Sequence, residues 1–82
     1  MDQSAILGLL REVFAATLDV DGTTIQRETT AKDVKGWDSV AHVLLITAVE
    51  KKFSIRFKSR EIAGFNCVGD MIDAVETKIK ER

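Results

Sequence analysis

Apolar side chains recur at helical spacing in three stretches of the chain. Over residues 2–18, Ile6, Leu10, Val13, Phe14 and Leu18 fall three to four positions apart, and Leu7 and Leu9 widen the stripe. Such a pattern buries one face of a helix. Towards the other end, Val68, Met71, Ile72, Val75 and Ile79 stand at i, i+3, i+4, i+7 and i+11, a clean amphipathic stripe. Asn66, just ahead of it, is a favoured N-cap residue, so the last helix is predicted to open there. The middle stretch, residues 39–52, is not one-sided. His42, Leu45, Val49 and Phe53 share one face bordered by Ile46, while Val40, Val43, Leu44 and Thr47 occupy another, turned away from it. A helix apolar nearly all round either lies at the centre of a large protein or offers its second face to a partner. This chain is too short for the first. Val40, Val43, Leu44 and Thr47 are therefore predicted partner-binding positions, with Ile62 beyond them as a further one.

Residues 19–38, DVDGTTIQRETTAKDVKGWD, show no sustained period. They read as one long loop, pinned to the core by Ile25 and Val34, and a loop of that length in a small domain is usually functional. KSREIAGF, residues 58–65, allows one short helical turn over 59–63, with Gly64 ending it. With no proline and no period-2 strand, the expected fold is all-α. It is a bundle of three longer helices and one short one, with a long loop between the first and second, in a single domain over residues 1–82.

Composition narrows the function. Of 82 residues, 45% are apolar and 30% charged, the balance of a soluble globular domain. A chain this short buries only about 60 to 65% of its unfolded surface, which argues against a roomy enclosed active site. No apolar run approaches the ~20 residues of a membrane span, and MDQSAILGLLREVF lacks the basic lead and cleavage site of a signal peptide, so a cytoplasmic monomer is expected. Cys67, the only cysteine, excludes an intramolecular disulfide and reads as a buried, inert side chain. The net charge of −1 is too far from basic to suggest nucleic acid.

Two short motifs invite a chemical reading. LDVDGTT, residues 18–24, matches the letters of the haloacid-dehalogenase nucleophile motif. That chemistry needs a buried parallel strand, a Mg²⁺ site and a distant lysine on an α/β scaffold. The glycine position also fails a calcium loop, so Asp-Gly here reads as a turn. The second motif is GWDSVAH, residues 36–42. Asp38 is a good N-cap, which puts Ser39 at the first helical position, its hydroxyl beside unpaired N–H groups and the positive end of the helix dipole. A phosphodiester on that hydroxyl is electrostatically favoured.

Asp38-Ser39-Val40 at the start of a helix, followed by Val43, Leu45, Ile46, Ala48, Val49, Glu50 and Phe53, resembles the acyl carrier protein family, in which Asp-Ser-Leu opens the second helix. The likeness extends over essentially the whole chain. Val40 stands where the family has leucine, and Lys51-Lys52 where it usually has carboxylates. The resemblance implies a carrier rather than an enzyme. A separate phosphopantetheinyl transferase, the holo-carrier synthase, would move 4′-phosphopantetheine from coenzyme A to Ser39. Asp38 would help that synthase hold Mg²⁺, and the isolated chain needs no metal. The thiol of the arm would carry acyl groups as thioesters from an acyl-loading ligase or acyltransferase to a ketosynthase or other acyl-consuming enzyme. Val40, Leu45, Ile62 and Val68 would shield the apolar chain from water.

Competing readings use the same residues. Asp38, Ser39 and His42 are helical neighbours and spell a hydrolase triad, but GWDSVA lacks a nucleophile elbow and the three cannot line up in series on one turn. His42 reads instead as a structural side chain within reach of Asp38. Trp37 reads as a hydrophobic staple against Val43, or as a flank to the root of the arm. A cofactor-free helical adaptor, an aminoacyl or peptidyl carrier and a housekeeping fatty-acid carrier are the functional alternatives. Residues 39–49 contain no acidic side chain, and residues 51–60 hold Lys51, Lys52, Arg56, Lys58 and Arg60 with no carboxylate among them. Fatty-acid carriers steer basic enzymes with an acidic second helix. A specialised carrier, in a lipid, polysaccharide-modification or polyketide-like pathway, is therefore expected.

Overall fold

Four α-helices and two 3₁₀ turns make up the chain, described over residues 1–81 in a computed structural model. α1 spans Gln3–Leu18, α2 Ser39–Phe53, α3 Ser59–Ala63 and α4 Val68–Glu81, and no strand occurs among the described residues. Asp2 caps α1, its carboxylate accepting the Ala5 N–H at 2.8 Å, and Asp19 closes that helix in the left-handed region at φ 55°. α1 packs against both α2 and α4. The expected stripes form the core: Ile6, Leu10 and Phe14 meet Leu45 and Val49 of α2 and Val68, Met71, Ile72 and Val75 of α4, and all of these are fully buried.

The long loop is less irregular than its sequence suggests. It contains the 3₁₀ turns Gly22–Thr24 and Ala31–Asp33, and it buries Thr29 and Trp37 as well as the expected anchors Ile25 and Val34. Arg11 of α1 holds it by donating Nε–H to the Ile25 carbonyl at 2.8 Å. Buried Thr29 is satisfied locally, its hydroxyl accepting the Gln26 N–H at 2.9 Å. Asp21 in the phosphatase-like motif caps the first 3₁₀ turn, accepting the Thr23 hydroxyl at 2.7 Å and the Thr23 N–H at 3.0 Å. These bonds, the hydroxyl first, hold its carboxyl below its ordinary range. No group of three His, Cys, Asp or Glu side chains able to hold a metal occurs among the described residues.

α4 begins at Val68, one residue later than a cap at Asn66 would place it, and Asn66 does not cap it. Its first N–H groups find carbonyls of the long loop instead: Val68 N–H donates to Thr29 at 2.9 Å and Gly69 N–H to Arg27 at 2.8 Å. Backbone from a distant segment thus does what a capping side chain does elsewhere, while the Asn66 N–H turns to the Asp70 carboxylate at 2.9 Å. Cys67 beside it is only half-buried, contrary to expectation. Gly64 ends α3 as predicted, in right-handed conformation with its N–H on the Glu61 carbonyl.

Close approach of loop and α1 makes one glycine indispensable. A Cβ on Gly22 would lie 2.6 Å from the Arg11 carbonyl oxygen. Gly22→Ala is expected to push the loop off α1 and cost about 1 to 3 kcal/mol, read as a lower urea midpoint.

Candidate functional site

α2 starts where the chain turns sharply onto the bundle. Gly36 takes φ 88°, a left-handed conformation suited to glycine, and the Asp38 N–H closes back on its carbonyl at 3.1 Å. The Asp38 carboxylate then accepts the Ala41 N–H at 2.8 Å, the expected N-cap. Ser39 follows as the first helical residue and is exposed. Its own N–H and that of Val40 have no protein partner among the described residues. A phosphate ester on the Ser39 hydroxyl would lie beside these free donors.

The turn is locked from inside. Trp37 is buried and packs edge-on against Phe14 of α1, ring centres 5.1 Å apart. Its Nε1–H donates to His42 Nδ1 at 3.1 Å, and the two rings stack at 6.0 Å. The hydrophobic staple therefore exists with a different partner. The residue at the fourth helical position is His42, whereas Val43 points outward and is 61% exposed. Nor does the His42 ring lean on Asp38, whose carboxylate is engaged by Ala41. Because Nδ1 accepts from Trp37, Nε2 carries the ring proton and donates to the Ile62 carbonyl at 3.3 Å. This clasp ties α2 to α3 and leaves no basic nitrogen for Ser39, which removes the triad reading. His42→Ala would leave the buried Trp37 N–H unpaired, an expected loss of about 1 to 3 kcal/mol. Denaturation followed by fluorescence of Trp37, the only tryptophan, measures it.

Beside Ser39 lies an open cleft of about 520 Å³ between α2 and α3, lined by Trp37, His42, Ile62, Ala63 and Phe65 among others. Of the four residues expected to shield an apolar chain, only Ile62 lines it. Leu45 and Val68 are sealed in the core with no exposed surface, and Val40 is 72% exposed. Phe65, missed from sequence, meets His42 at 6.5 Å and Phe57 at 5.1 Å, continuing an aromatic chain that begins at Phe14. Its position just after the glycine that ends α3 was the available clue.

The predicted partner face divides in the same way. Val40, Val43 and Leu44 are 72, 61 and 54% exposed, and Thr47 is exposed beside them with its hydroxyl bonded to the Val43 carbonyl at 3.0 Å. Ile62 is half-buried and belongs to the cleft.

Comparison with known proteins places this geometry. The profile of the phosphopantetheine attachment site family matches residues 8–75. An acyl carrier protein of Clostridium acetobutylicum is 31% identical over 88% of this chain and 94% of its own. The chain belongs to the acyl carrier protein family. It is a carrier, not an enzyme, and its cofactor is covalently attached 4′-phosphopantetheine. Acyl carrier protein 3 of Ralstonia nicotianae is 27% identical over the whole of this carrier and 94% of its own length. The solution structure of a holo acyl carrier protein from Geobacter metallireducens superposes with a TM-score of 0.84 at 35% identity, covering 92% of this carrier and 86% of that one. The all-helical fold is thus the family's own. No helix among the described residues is long and apolar enough to cross a membrane.

Proposed function

We infer that Ser39 bears the phosphopantetheine arm. The observation that carries this reading is an exposed hydroxyl at the first position of α2, next to a capping aspartate, two free N–H groups and an open cleft of mixed polar and apolar lining. In the attachment step, a phosphopantetheinyl transferase directs Ser39 Oγ to the pantetheine-side phosphorus of coenzyme A. The Oγ–P bond forms, the pyrophosphate bond breaks, adenosine 3′,5′-bisphosphate leaves, and the serine proton passes to a base of the transferase. Asp38, at the helix cap beside Ser39, would help that enzyme hold Mg²⁺. The attached thiol supplies thioester chemistry, and the cleft lined by Ile62 and Phe65 shelters the start of an acyl chain.

The carrier serves dedicated loading and acyl-consuming enzymes in a lipid, polysaccharide-modification or polyketide-like pathway, in the cytoplasm. What supports a specialised role is the α2 surface itself, which from Ser39 to Val49 is apolar or neutral and shows Val40, Val43 and Leu44 to solvent. Trypsin cleavage after Lys35 and Lys51 releases residues 36–51 as one peptide. Isolated from the native cell, this peptide is expected to carry the arm with an acyl group distinct from the fatty-acid series. The same acyl series as the housekeeping carrier would return the chain to fatty-acid synthesis, and an arm on another peptide would remove Ser39.

A further inference from the structure

α2 exposes its cations, Lys51 and Lys52, and half-buries its single carboxylate, Glu50. Val40, Val43, Leu44, Thr47 and Lys51 follow one another at i, i+3, i+4, i+7 and i+11, and all are exposed. At the end of that stripe Lys51 and Arg56, together with Thr47, line a shallow concavity of about 420 Å³. Glu50 lines the same concavity and is half-buried, while Glu61, the other carboxylate nearby, is turned towards α4. Glu50 accepts the Phe57 N–H at 2.8 Å. Glu61 accepts the Lys58 N–H at 2.8 Å and pairs with Lys78 at 3.0 Å, and these contacts, the backbone bond first, hold its carboxyl below the ordinary range. Lys52 leans back on Glu12 at 3.4 Å. Lys51 and Arg56 have no protein partner among the described residues. The local acids cap the carrier's own backbone, and the side chains of Lys51 and Arg56 extend into solvent beside half-buried Glu50.

We propose that the exposed α2 face of Val40, Val43, Leu44 and Thr47, with Lys51 and Arg56 at its rim, docks partner enzymes whose own surface is apolar at the centre and carboxylate-bearing at the edge. The proposal rests on the carrier reading above and specifies its partners. An apolar centre with a charged rim is the anatomy of a docking interface. Opposite charges across it raise the encounter rate, and like charges reject wrong partners. An enzyme built for an acidic carrier helix presents cations there and meets Lys51 and Arg56 with repulsion. Of the five exposed cations over residues 51–60, Lys52 is paired with Glu12, and on a chain of net charge −1 they favour a protein partner over the extended basic surface that nucleic acid or an anionic membrane requires.

A charge swap tests this with proteins that can be made. Full-length carrier is converted to the holo form as wild type, as Lys51→Gln/Arg56→Gln and as Lys51→Glu/Arg56→Glu, with unchanged thermal melts confirming the fold. Each is offered to a fatty-acid malonyl transferase with a basic docking face, and to a variant of that enzyme with the docking cations changed to glutamate. With the unmodified enzyme, the glutamate carrier is expected to load about tenfold faster than wild type at low salt, the glutamine carrier in between, and the gain to vanish as salt rises. With the glutamate-bearing enzyme the order reverses. Equal rates and equal salt slopes for all three carriers on both enzymes would overturn the proposal. So would sedimentation of wild type, but not of the glutamate carrier, with phosphatidylglycerol vesicles, which would assign the rim to a lipid surface. Intact mass before the assay keeps the two readings apart. A carrier that never gains the arm contradicts the attachment reading, whereas a holo carrier indifferent to these charges contradicts only the docking proposal.

Discussion

Leu45→Ala is expected to lose about 2 to 5 kcal/mol of stability, while Leu44→Ala, one residue earlier on the same helix, should stay within about 0.5 kcal/mol of wild type. The contrast follows from burial alone. Leu45 has no exposed surface and sits in the core with Phe14, Val49 and Val68, whereas Leu44 is 54% exposed. Truncating Leu45 removes buried methyl groups and leaves a hole that a small bundle closes only in part. A domain this small holds on the order of 5 kcal/mol in total, so the variant should be substantially unfolded near room temperature. Urea denaturation of both variants beside wild type is the measurement. Equal losses would mean that α2 has one buried surface rather than two faces. If Leu44→Ala is stable yet loads more slowly from its enzymes, the exposed face is a docking surface rather than a packing accident.

The helices were legible because each buries a stripe with helical period, and that period depends only on local sequence. Ile6, Leu10, Val13, Phe14, Leu45, Val49, Met71 and Ile72 all went where their spacing sent them. The exposed face of Val40, Val43 and Leu44 was legible for the same reason, as apolar surface left over once the core was filled. What could not be read was non-local. Asn66 has the chemistry of a cap, but carbonyls of Arg27 and Thr29, nearly forty residues away, reach the helix start instead. Trp37 has the position of a staple, yet its partner is His42, because an indole N–H needs an acceptor when buried and His42 Nδ1 supplies one. The family resemblance implies a shelter of Val40, Leu45, Ile62 and Val68, as if they met at one place. Tight packing of α2 against the bundle seals Leu45 and Val68 away and leaves the cleft to Ile62, Phe65 and the clasp of Trp37 and His42.

The same packing explains how a small bundle with an open cleft beside Ser39 can present an arm at that position. The loop anchors Ile25, Val34 and Trp37 fix the turn at Gly36, the turn sets the first residue of α2, and the Asp38 cap fixes its backbone. Ser39 is therefore exposed at a helix start that capping and the anchored turn hold in place. Its surroundings favour an anion through dipole and free N–H groups, as the proposed attachment requires.

Ser39→Ala is expected to abolish modification outright, because the bond to phosphorus needs the hydroxyl and no neighbouring side chain can take its place. Ser59 lines the same cleft and is exposed, but it starts a helix of only 5 residues and has no capping aspartate before it. It is the appropriate control. Apo wild type, Ser39→Ala and Ser59→Ala are each incubated with coenzyme A, Mg²⁺ and a broad-specificity phosphopantetheinyl transferase, and then weighed intact. Wild type and Ser59→Ala should each gain one phosphopantetheinyl group and Ser39→Ala none. A wild type left unmodified by several such transferases, or a Ser39→Ala chain that still gains the group, would contradict the assignment.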